Sequence, residues 1–377
     1  MKSSFRKINS TLHLWLGLIT APLVFFICLT GTIIVFSDEI MELSAGKSRY
    51  VSEVKEQKIP VEDLVKIMKE KFPNRKNPSY MVTYRDPERT VRFNSYDPEI
   101  GLRMVYVDPY TGEIIKDDGT IYFFYITAHL HNSLMWHGAG NWIIDIATII
   151  FVMTVITGLV FWWPRNRSKK ALDYAFTINR KVPFRRLNSD LHRVIGMYVS
   201  FLIIVLSLTG LIIAFNPFFN FTKDVFGGNS SIEWNESLAS ADTERQSYPV
   251  NTIFDEIFKD DPGKKEIQLY TYFDDKWGFY ALNAAKRIGL KSAMDNQFMA
   301  FDRYTGMQLN LTPEALANEQ TDNTVWTLHT GNWMGLWGKV ITFFAGLIAS
   351  LLPVSGFYIW WGKRSRNRKA RKLFSPL

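Results

Sequence analysis

Cysteine is almost absent from this chain: Cys28 is the only one in 377 residues. A single thiol excludes an intrachain disulfide, a cysteine-based zinc site, an iron–sulfur cluster and covalent haem attachment through C-x-x-C-H. Histidine is also scarce, at six residues. No G-x-G-x-x-G occurs, so the chain shows no nicotinamide or flavin site of its own. Acidic residues are the minority, 36 against 44 basic, for a net charge of +8 and a pI near 9.3. Apolar residues are plentiful at 47%, with 15% aromatics, which excludes a disordered chain. The mean hydropathy of −0.05 averages two unlike kinds of segment.

The first kind is apolar. Leu12–Phe36, Trp142–Trp163, Val194–Phe215 and Val340–Trp361 are runs of 22 to 25 residues, with Asp145 the one formal charge among them. About 20 such residues cross a bilayer, so a purely soluble enzyme is excluded. The first run is too long for a signal-peptide core and lacks a small-x-small cleavage site; it reads as a retained helix. Trp162-Trp163 and Trp360-Trp361 suit a membrane interface. Residues 1–11, 164–191 and 362–377 hold 18 basic residues against Asp173 and Asp190, a net of +16. The rest of the chain therefore sums to −8. The positive-inside rule puts both termini and the 164–191 loop in the cytoplasm. These basic flanks are a topology signal, and no nucleic-acid partner is expected. Segments 37–141 and 216–339 then lie outside the cytoplasm, an arrangement that suits a bacterial inner membrane.

The chain repeats itself. Asn9-Ser10-x-Leu12-His13, Gly17 and Thr30-Gly31 recur as Asn188-Ser189-x-Leu191-His192, Gly196 and Thr209-Gly210, all 179 residues later. Leu130-His131, Gly158 and Trp162-Trp163 recur as Leu328-His329, Gly356 and Trp360-Trp361, 198 residues later. Asp108-x-Tyr110-Thr111-Gly112 recurs as Asp302-x-Tyr304-Thr305-Gly306. Each half reads helix, ectodomain, helix. With two spans per half the repeats run parallel, which permits a pseudo-twofold axis along the membrane normal. Each ectodomain reads as a small α+β unit. Helical spacing covers Val61–Phe72, and alternation marks strands at Arg89–Asn94 and Met104–Asp108. In the second copy Ile253–Phe258 reads as a helix, and Glu266–Phe273, Trp277–Leu282 and Gln297–Phe301 as strands.

The six histidines, His13, His129, His131, His137, His192 and His329, all fall at or near a membrane-helix end. Four are repeat mates: His13 with His192, and His131 with His329. A twofold axis sets each pair face to face, the first at the cytoplasmic side and the second at the outer side. Opposed histidines without cysteine suit axial ligation of a non-covalent b-type haem, and two pairs suit two haems. Gly17 and Gly196 follow their histidines by four residues on the same face, and Gly31 and Gly210 return to it after five turns. Gly17 and Gly31 are about 21 Å apart along a helix, a spacing that seats two stacked porphyrins. Close helix packing, zinc ligation and a proton path through Asp145 are the competing readings of the same residues. His131 lies 11 residues before Trp142, about 16 Å outside the run if the helix is straight. Either the outer haem sits at the interface, or the chain bends at Gly138-Ala139-Gly140 and at Gly331, Gly335 and Gly338. His129 and His137 lack histidine mates and are candidate substrate or supporting groups.

Leu12-His13-x-Trp15-x-Gly17, the Leu130-His131 and Leu328-His329 approaches, the Thr-Gly and aromatic helix ends and the two Asp-x-Tyr-Thr-Gly turns together resemble the PepSY-associated transmembrane family, over nearly the whole chain. The resemblance implies a multi-pass inner-membrane protein with periplasmic PepSY-like domains, and haem-binding histidines at His13, His131, His192 and His329. It also implies kinship with di-haem reductases linked to iron uptake.

The expected plan is a four-helix membrane bundle of two parallel repeats carrying two small α+β periplasmic domains. Its segments are 1–36 (first membrane helix), 37–120 (first ectodomain), 121–163 (second helix and its approach), 164–191 (basic loop), 192–215 (third helix), 216–323 (second ectodomain), 324–361 (fourth helix and its approach) and 362–377 (basic tail). The expected activity is electron transfer from a quinol or cytoplasmic reductase, through two b-type haems, to a periplasmic acceptor such as a ferric siderophore. Tyr270, Tyr272, Trp277, Trp326 and Trp333, with His129 and His137, are expected to line the acceptor site. The alternative is a non-enzymatic membrane module whose ectodomains bind a peptide or protein partner.

Overall fold

The computed structural model describes residues 3–164, 166–231, 245–270 and 278–373. The chain divides into two compact units. One takes in Met1–Val35, Thr127–Phe218 and Leu336–Leu377; the other takes in Phe36–Ile126 and Phe219–Gly335.

In chain order the helices are α1 (Ser3–Ile34), α2 (Ser37–Ala45), α3 (Val61–Lys71), α4 (Thr120–Ser133), α5 (Ala139–Trp162), α6 (Lys169–Phe176), α7 (Phe184–Ala214), α8 (Asn216–Val225), α9 (Val250–Asp260), α10 (Pro313–Thr330) and α11 (Leu336–Leu373). The strands are β1 (Tyr80–Tyr84), β2 (Val91–Asp97), β3 (Gly101–Val107), β4 (Ile114–Asp118), β5 (Glu266–Tyr270), β6 (Phe279–Ala285), β7 (Arg287–Ile288), β8 (Ala293–Met294), β9 (Gln297–Asp302) and β10 (Gln308–Leu309).

The first unit is a helical bundle. Among the described residues, α1, α5, α7 and α11 are the four helices long and apolar enough to cross a membrane. The protein is a membrane protein. Each of α1 and α7 packs against both α5 and α11, so α1 and α7 stand at opposite corners. Small residues allow the close approach: a Cβ added at Gly346 of α11 meets Thr32 Oγ1 of α1 at 2.5 Å. Large apolar side chains such as Ile19, Phe201 and Phe344 point outward, as lipid-facing positions require. The helices run further than the apolar runs. α7 begins at Phe184, so the end of the 164–191 segment is already helical, and its start carries the short α6.

The break expected near Gly138 is present. α4 stops at Ser133, and the chain turns through Leu134 and Met135, both at positive φ (53° and 59°), and Gly138 (φ 86°) before α5 starts. In the second unit Gly331 (φ 81°) ends α10, and Gly335 (φ 56°) precedes α11.

The second unit corrects the expectation of two small ectodomains. Its two α+β segments form one eight-stranded sheet, in the order β10-β9-β6-β5-β1-β2-β3-β4. The join is β1 against β5, antiparallel, with Tyr80 opposite Tyr270 and Tyr84 opposite Glu266. Each copy alone would expose an unpaired strand edge, and pairing the copies removes both edges. The core is shared as well. Leu64 and Met68 of α3 and Ile253 and Phe254 of α9 pack on one sheet face with Met81, Phe93, Val105, Ile267, Leu269 and Leu282. β1 and β4 are strands that the alternation pattern does not reveal. Residues 271–273 and Trp277, at the ends of two expected strands, lie outside the described residues, Tyr272 among them.

The Asp-x-Tyr-Thr-Gly turns take the same form twice. Asp108 Oδ1 accepts from the Tyr110 and Thr111 amides at 2.7 and 3.2 Å, and Asp302 Oδ1 from the Tyr304 and Thr305 amides at 3.0 and 2.8 Å. Gly112 (φ 73°) and Gly306 (φ 72°) close them in the left-handed region, where a side chain is strained.

Candidate functional site

Two histidines meet inside the bundle. α1 carries His13 against α5, where Nδ1 lies 3.0 Å from the Thr154 carbonyl oxygen and 3.3 Å from Thr157 Oγ1. α7 carries His192 against α11, where Nδ1 lies 2.7 Å from Ser355 Oγ. The supports match. Asn9 Nδ2 donates to the Thr157 carbonyl at 2.9 Å, and Asn188 Nδ2 to the Ser355 carbonyl at 3.1 Å. Thr157 and Ser355 occupy corresponding positions at the 198-residue offset, and each Asn stands four residues before its histidine.

These bonds fix the tautomers. A carbonyl oxygen only accepts, so the Thr154 contact makes His13 Nδ1 the protonated nitrogen. The Ser355 hydroxyl spends its proton on the Leu352 carbonyl at 2.9 Å, so it accepts from His192 Nδ1. In both rings Nε2 keeps its lone pair, the arrangement in which a second partner at Nδ1 orients a metal-ligating imidazole. Neither Nε2 has a hydrogen-bond partner among the described residues.

The two rings lie 6.4 Å apart, centre to centre, with planes at 69°. Two imidazoles bound to one metal have ring centres roughly 6 Å apart, from metal–nitrogen bonds of about 2 Å and the ring radius on each side. The centre-to-centre spacing is close to that of two imidazoles on one metal. Among the described residues no group of three or more His, Cys, Asp or Glu side chains is placed to hold a metal ion. A site with two protein nitrogens needs a group that brings its own donors, and a porphyrin supplies the equatorial nitrogens.

His131 repeats the same chemistry at the other end of α1. Its Nδ1 lies 2.9 Å from the Ile27 carbonyl oxygen and 3.3 Å from Thr30 Oγ1. The break after α4 thus brings His131 to the level of Gly31. His329 belongs to the second unit, in the last turn of α10, edge-on to Trp326 with ring centres 6.5 Å apart. His129 and His137 lie together, ring centres 5.0 Å apart and planes at 84°.

The glycines divide into two groups. A Cβ at Gly31 meets His131 Cε1 at 2.8 Å, so Gly31 makes room for the imidazole edge. Gly158 and Gly356 do the same for His13 and His192, at 3.0 and 3.3 Å. Gly17 and Gly196 face the neighbouring helix at ordinary contact, with Thr154 Cγ2 at 3.5 Å and Leu352 Cδ2 at 3.4 Å. Gly210 follows the buried Thr209 near the end of α7.

Several supporting residues escape a reading of the sequence. Thr154, Thr157 and Ser355 carry no obvious signal singly; Thr157 and Ser355 coincide as hydroxyls under the 198-residue offset, whereas the mate of Thr154 is Leu352. Gly158 and Gly356 are visible as repeat mates, but nothing in one dimension shows which ring they seat. On α10, Glu319, Asp322, Trp326 and His329 follow helical spacing along one face. Burial pushes the Glu319 carboxyl up to about 7, with nearby Asp322 adding to the shift; Asp322 is also raised by burial, against the pull of Lys223 and Lys291.

The sequence model of the PepSY-associated TM region matches residues 10–363. The chain belongs to the PepSY-associated transmembrane family. No curated protein matches it. The matched residues run from within α1 to within α11 and so take in both histidine-bearing approaches and the sheet unit.

Proposed function

We propose that this PepSY-associated membrane protein is a transmembrane electron conduit with two non-covalent b-type haems, and that it reduces an acceptor outside the cytoplasm. The observation that carries the reading is the His13–His192 pair: two imidazoles 6.4 Å apart, each held through Nδ1 with Nε2 left for a metal. Bound there and at the second pair, haem would supply one-electron carriage across the bilayer. His13 and His192 would hold the inner group, and the repeat assigns His131 and His329 to the outer one. The matched supports, Asn9–Thr157 and Asn188–Ser355, favour two parallel repeats. The basic segments favour cytoplasmic termini, with the sheet unit in the periplasm of a bacterial inner membrane.

The substrate we propose is a ferric siderophore. Hard oxygen donors hold Fe(III) far more tightly than Fe(II), so adding one electron loosens the chelate and frees the ion. Electrons would come from a quinol or a cytoplasmic reductase, since the sequence shows no dinucleotide fingerprint.

The test is a reduced-minus-oxidised spectrum of the purified protein with a haem-to-protein ratio. A b-type spectrum with two haems per chain is expected. Dithionite-reduced protein, freed of excess reductant, should be reoxidised by a ferric hydroxamate, with Fe(II) appearing in a ferrous trap. A colourless protein from haem-replete cells would sink the conduit and leave a membrane module with a binding ectodomain. Rapid reoxidation by a quinone but not by ferric chelates would replace iron reduction with a quinone-coupled role.

A further inference from the structure

One residue past His192, Arg193 is held in an unusual way. Its side chain is 13% exposed, and Nη2 lies 3.0 Å from Asp190 Oδ1, itself a buried carboxylate. The guanidinium carbon stands 3.6 Å from the centre of the Tyr174 ring, on α6. α6 is fixed in turn, because Trp162 Nε1 donates to the Ala175 carbonyl at 2.9 Å. Yet Arg193 Nε is buried and has no hydrogen-bond partner among the described residues.

A buried donor without an acceptor costs about 1–3 kcal/mol, so the orphan N–H asks for a missing oxygen. A guanidinium is a fixed fork of donors, and its best match is a carboxylate. The ion pair and the ring stack already hold the fork, so little ordering entropy opposes capture of a further carboxylate. The second observation is asymmetry. At the 179-residue offset the first repeat has Thr11 and Leu14 in place of Asp190 and Arg193. His13 and His192 are otherwise supported alike, so the arginine marks one side of the pair.

We propose that Arg193 binds a propionate carboxylate of the haem held by His13 and His192. The inference rests on the conduit reading, because it needs a haem at this pair. Asp190 and Tyr174 are positioning residues that hold the guanidinium.

The experiment uses full-length protein, its Arg193→Leu and Arg193→Lys variants, and Tyr174→Leu, all in a His131→Ala background so that only the inner haem is read. Each protein is reconstituted with haem b or with haem dimethyl ester, whose propionates are neutral. Haem loss to apomyoglobin gives the dissociation rate. The parent should lose the ester about tenfold faster than haem b. Arg193→Leu should lose both at the same fast rate. Arg193→Lys keeps the charge without the fork and should fall between. Tyr174→Leu should retain most of the discrimination against the ester. The proposal is overturned if the parent fails to distinguish ester from haem b, or if Arg193→Leu keeps the parent's discrimination and loss rate. It is also overturned if Tyr174→Leu matches Arg193→Leu throughout, since the arginine would then only prop up α6. A parent that binds no haem fails earlier and overturns the conduit reading itself.

Discussion

The two ends of α1 present histidine by the same chemistry on different backbones. His13 and His131 each commit Nδ1 to a carbonyl of a neighbouring helix, at 3.0 and 2.9 Å, and each lays its ring edge over a glycine. His13, however, stands within a continuous 32-residue helix, and its partner His192 within one of 31. His131 stands near the end of α4, just before a turn through two left-handed non-glycine residues. The first site depends on helix packing and the second on a bend. Sites of the first kind are held by many distributed contacts, whereas a bend concentrates its geometry in a few residues.

The largest expected effect separates the ends outright. His13→Ala and His192→Ala should each take the haem-to-protein ratio from two to one and remove the same spectral component. His131→Ala should remove the other. If His13→Ala and His131→Ala delete the same component, the two ends are one site and the comparison collapses.

The glycine seats sharpen the contrast at a smaller scale. Gly31→Val forces a branched side chain into the His131 ring, and Gly158→Val does so at His13; overpacking of this kind costs about 1–3 kcal/mol. Each should lower occupancy of its own haem and spare the other, read by haemochrome content. Gly17→Val is the control, since its Cβ makes only ordinary contact with Thr154. Haem loss from Gly17→Val equal to that from Gly158→Val would show that Gly17 lines the porphyrin after all.

The helix carrying His329 has a titratable group of its own. Glu319 titrates at about 7 in the folded protein, above its ordinary 4.5. For a raised acid the folded state holds the extra proton, so its stability is fully present below pH 4.5 and is lost as pH rises towards 7. Glu319→Gln removes that loss. The variant should be more stable than the parent at pH 8, by up to about 3 kcal/mol, and nearly match it at about pH 4.5. Scanning calorimetry at the two pH values checks this. A difference that is the same at both would assign the effect to packing.

Asn9 and Asn188 test how alike the two helix pairs are. Each side chain donates to a carbonyl of the helix beside it, and removing one such bond costs about 1 kcal/mol. Asn9→Ala and Asn188→Ala should lower the melting temperature by similar amounts, about 2–4 °C each. A clear inequality would mean that the α1–α5 and α7–α11 contacts are not equivalent.

Much of this is legible in one dimension. Four apolar runs give four membrane helices, since bilayer thickness fixes their length, and the 179- and 198-residue offsets bring Asn9, His13, Thr157 and their mates into register. The Asp108 and Asp302 turns follow from Asp and Gly at fixed spacing. The single sheet is not legible. Whether Tyr80–Tyr84 pairs with Glu266–Tyr270 or each copy closes on itself depends on a contact between residues far apart in the chain, such as Val82 and Gln268, which local alternation does not record. The seats at Gly158 and Gly356 escape for a like reason: a glycine in a membrane helix signals close approach without naming the partner.

The smallest effect lies in the bend itself. Leu134 and Met135 hold φ of 53° and 59°, a region that costs a non-glycine residue about 1–2 kcal/mol. The turn is nevertheless well tied, since the Met135 amide donates to the His129 carbonyl at 3.1 Å and the Trp136 amide to the Ser133 carbonyl at 2.8 Å. It returns the chain so that His137 lies 5.0 Å from His129. Met135→Gly relieves the left-handed strain but gives the unfolded chain more freedom, so the two terms largely offset. The net should be a stabilisation of about 0.5 kcal/mol or less, with unchanged haem content. Met135→Val, branched at Cβ, should instead destabilise by about 1 kcal/mol and loosen the outer haem first. Thermal melts of the two variants, read against haem content, decide the matter. If glycine costs more than valine at position 135, the bend is held by the Met135 side chain and the strain at its backbone is incidental.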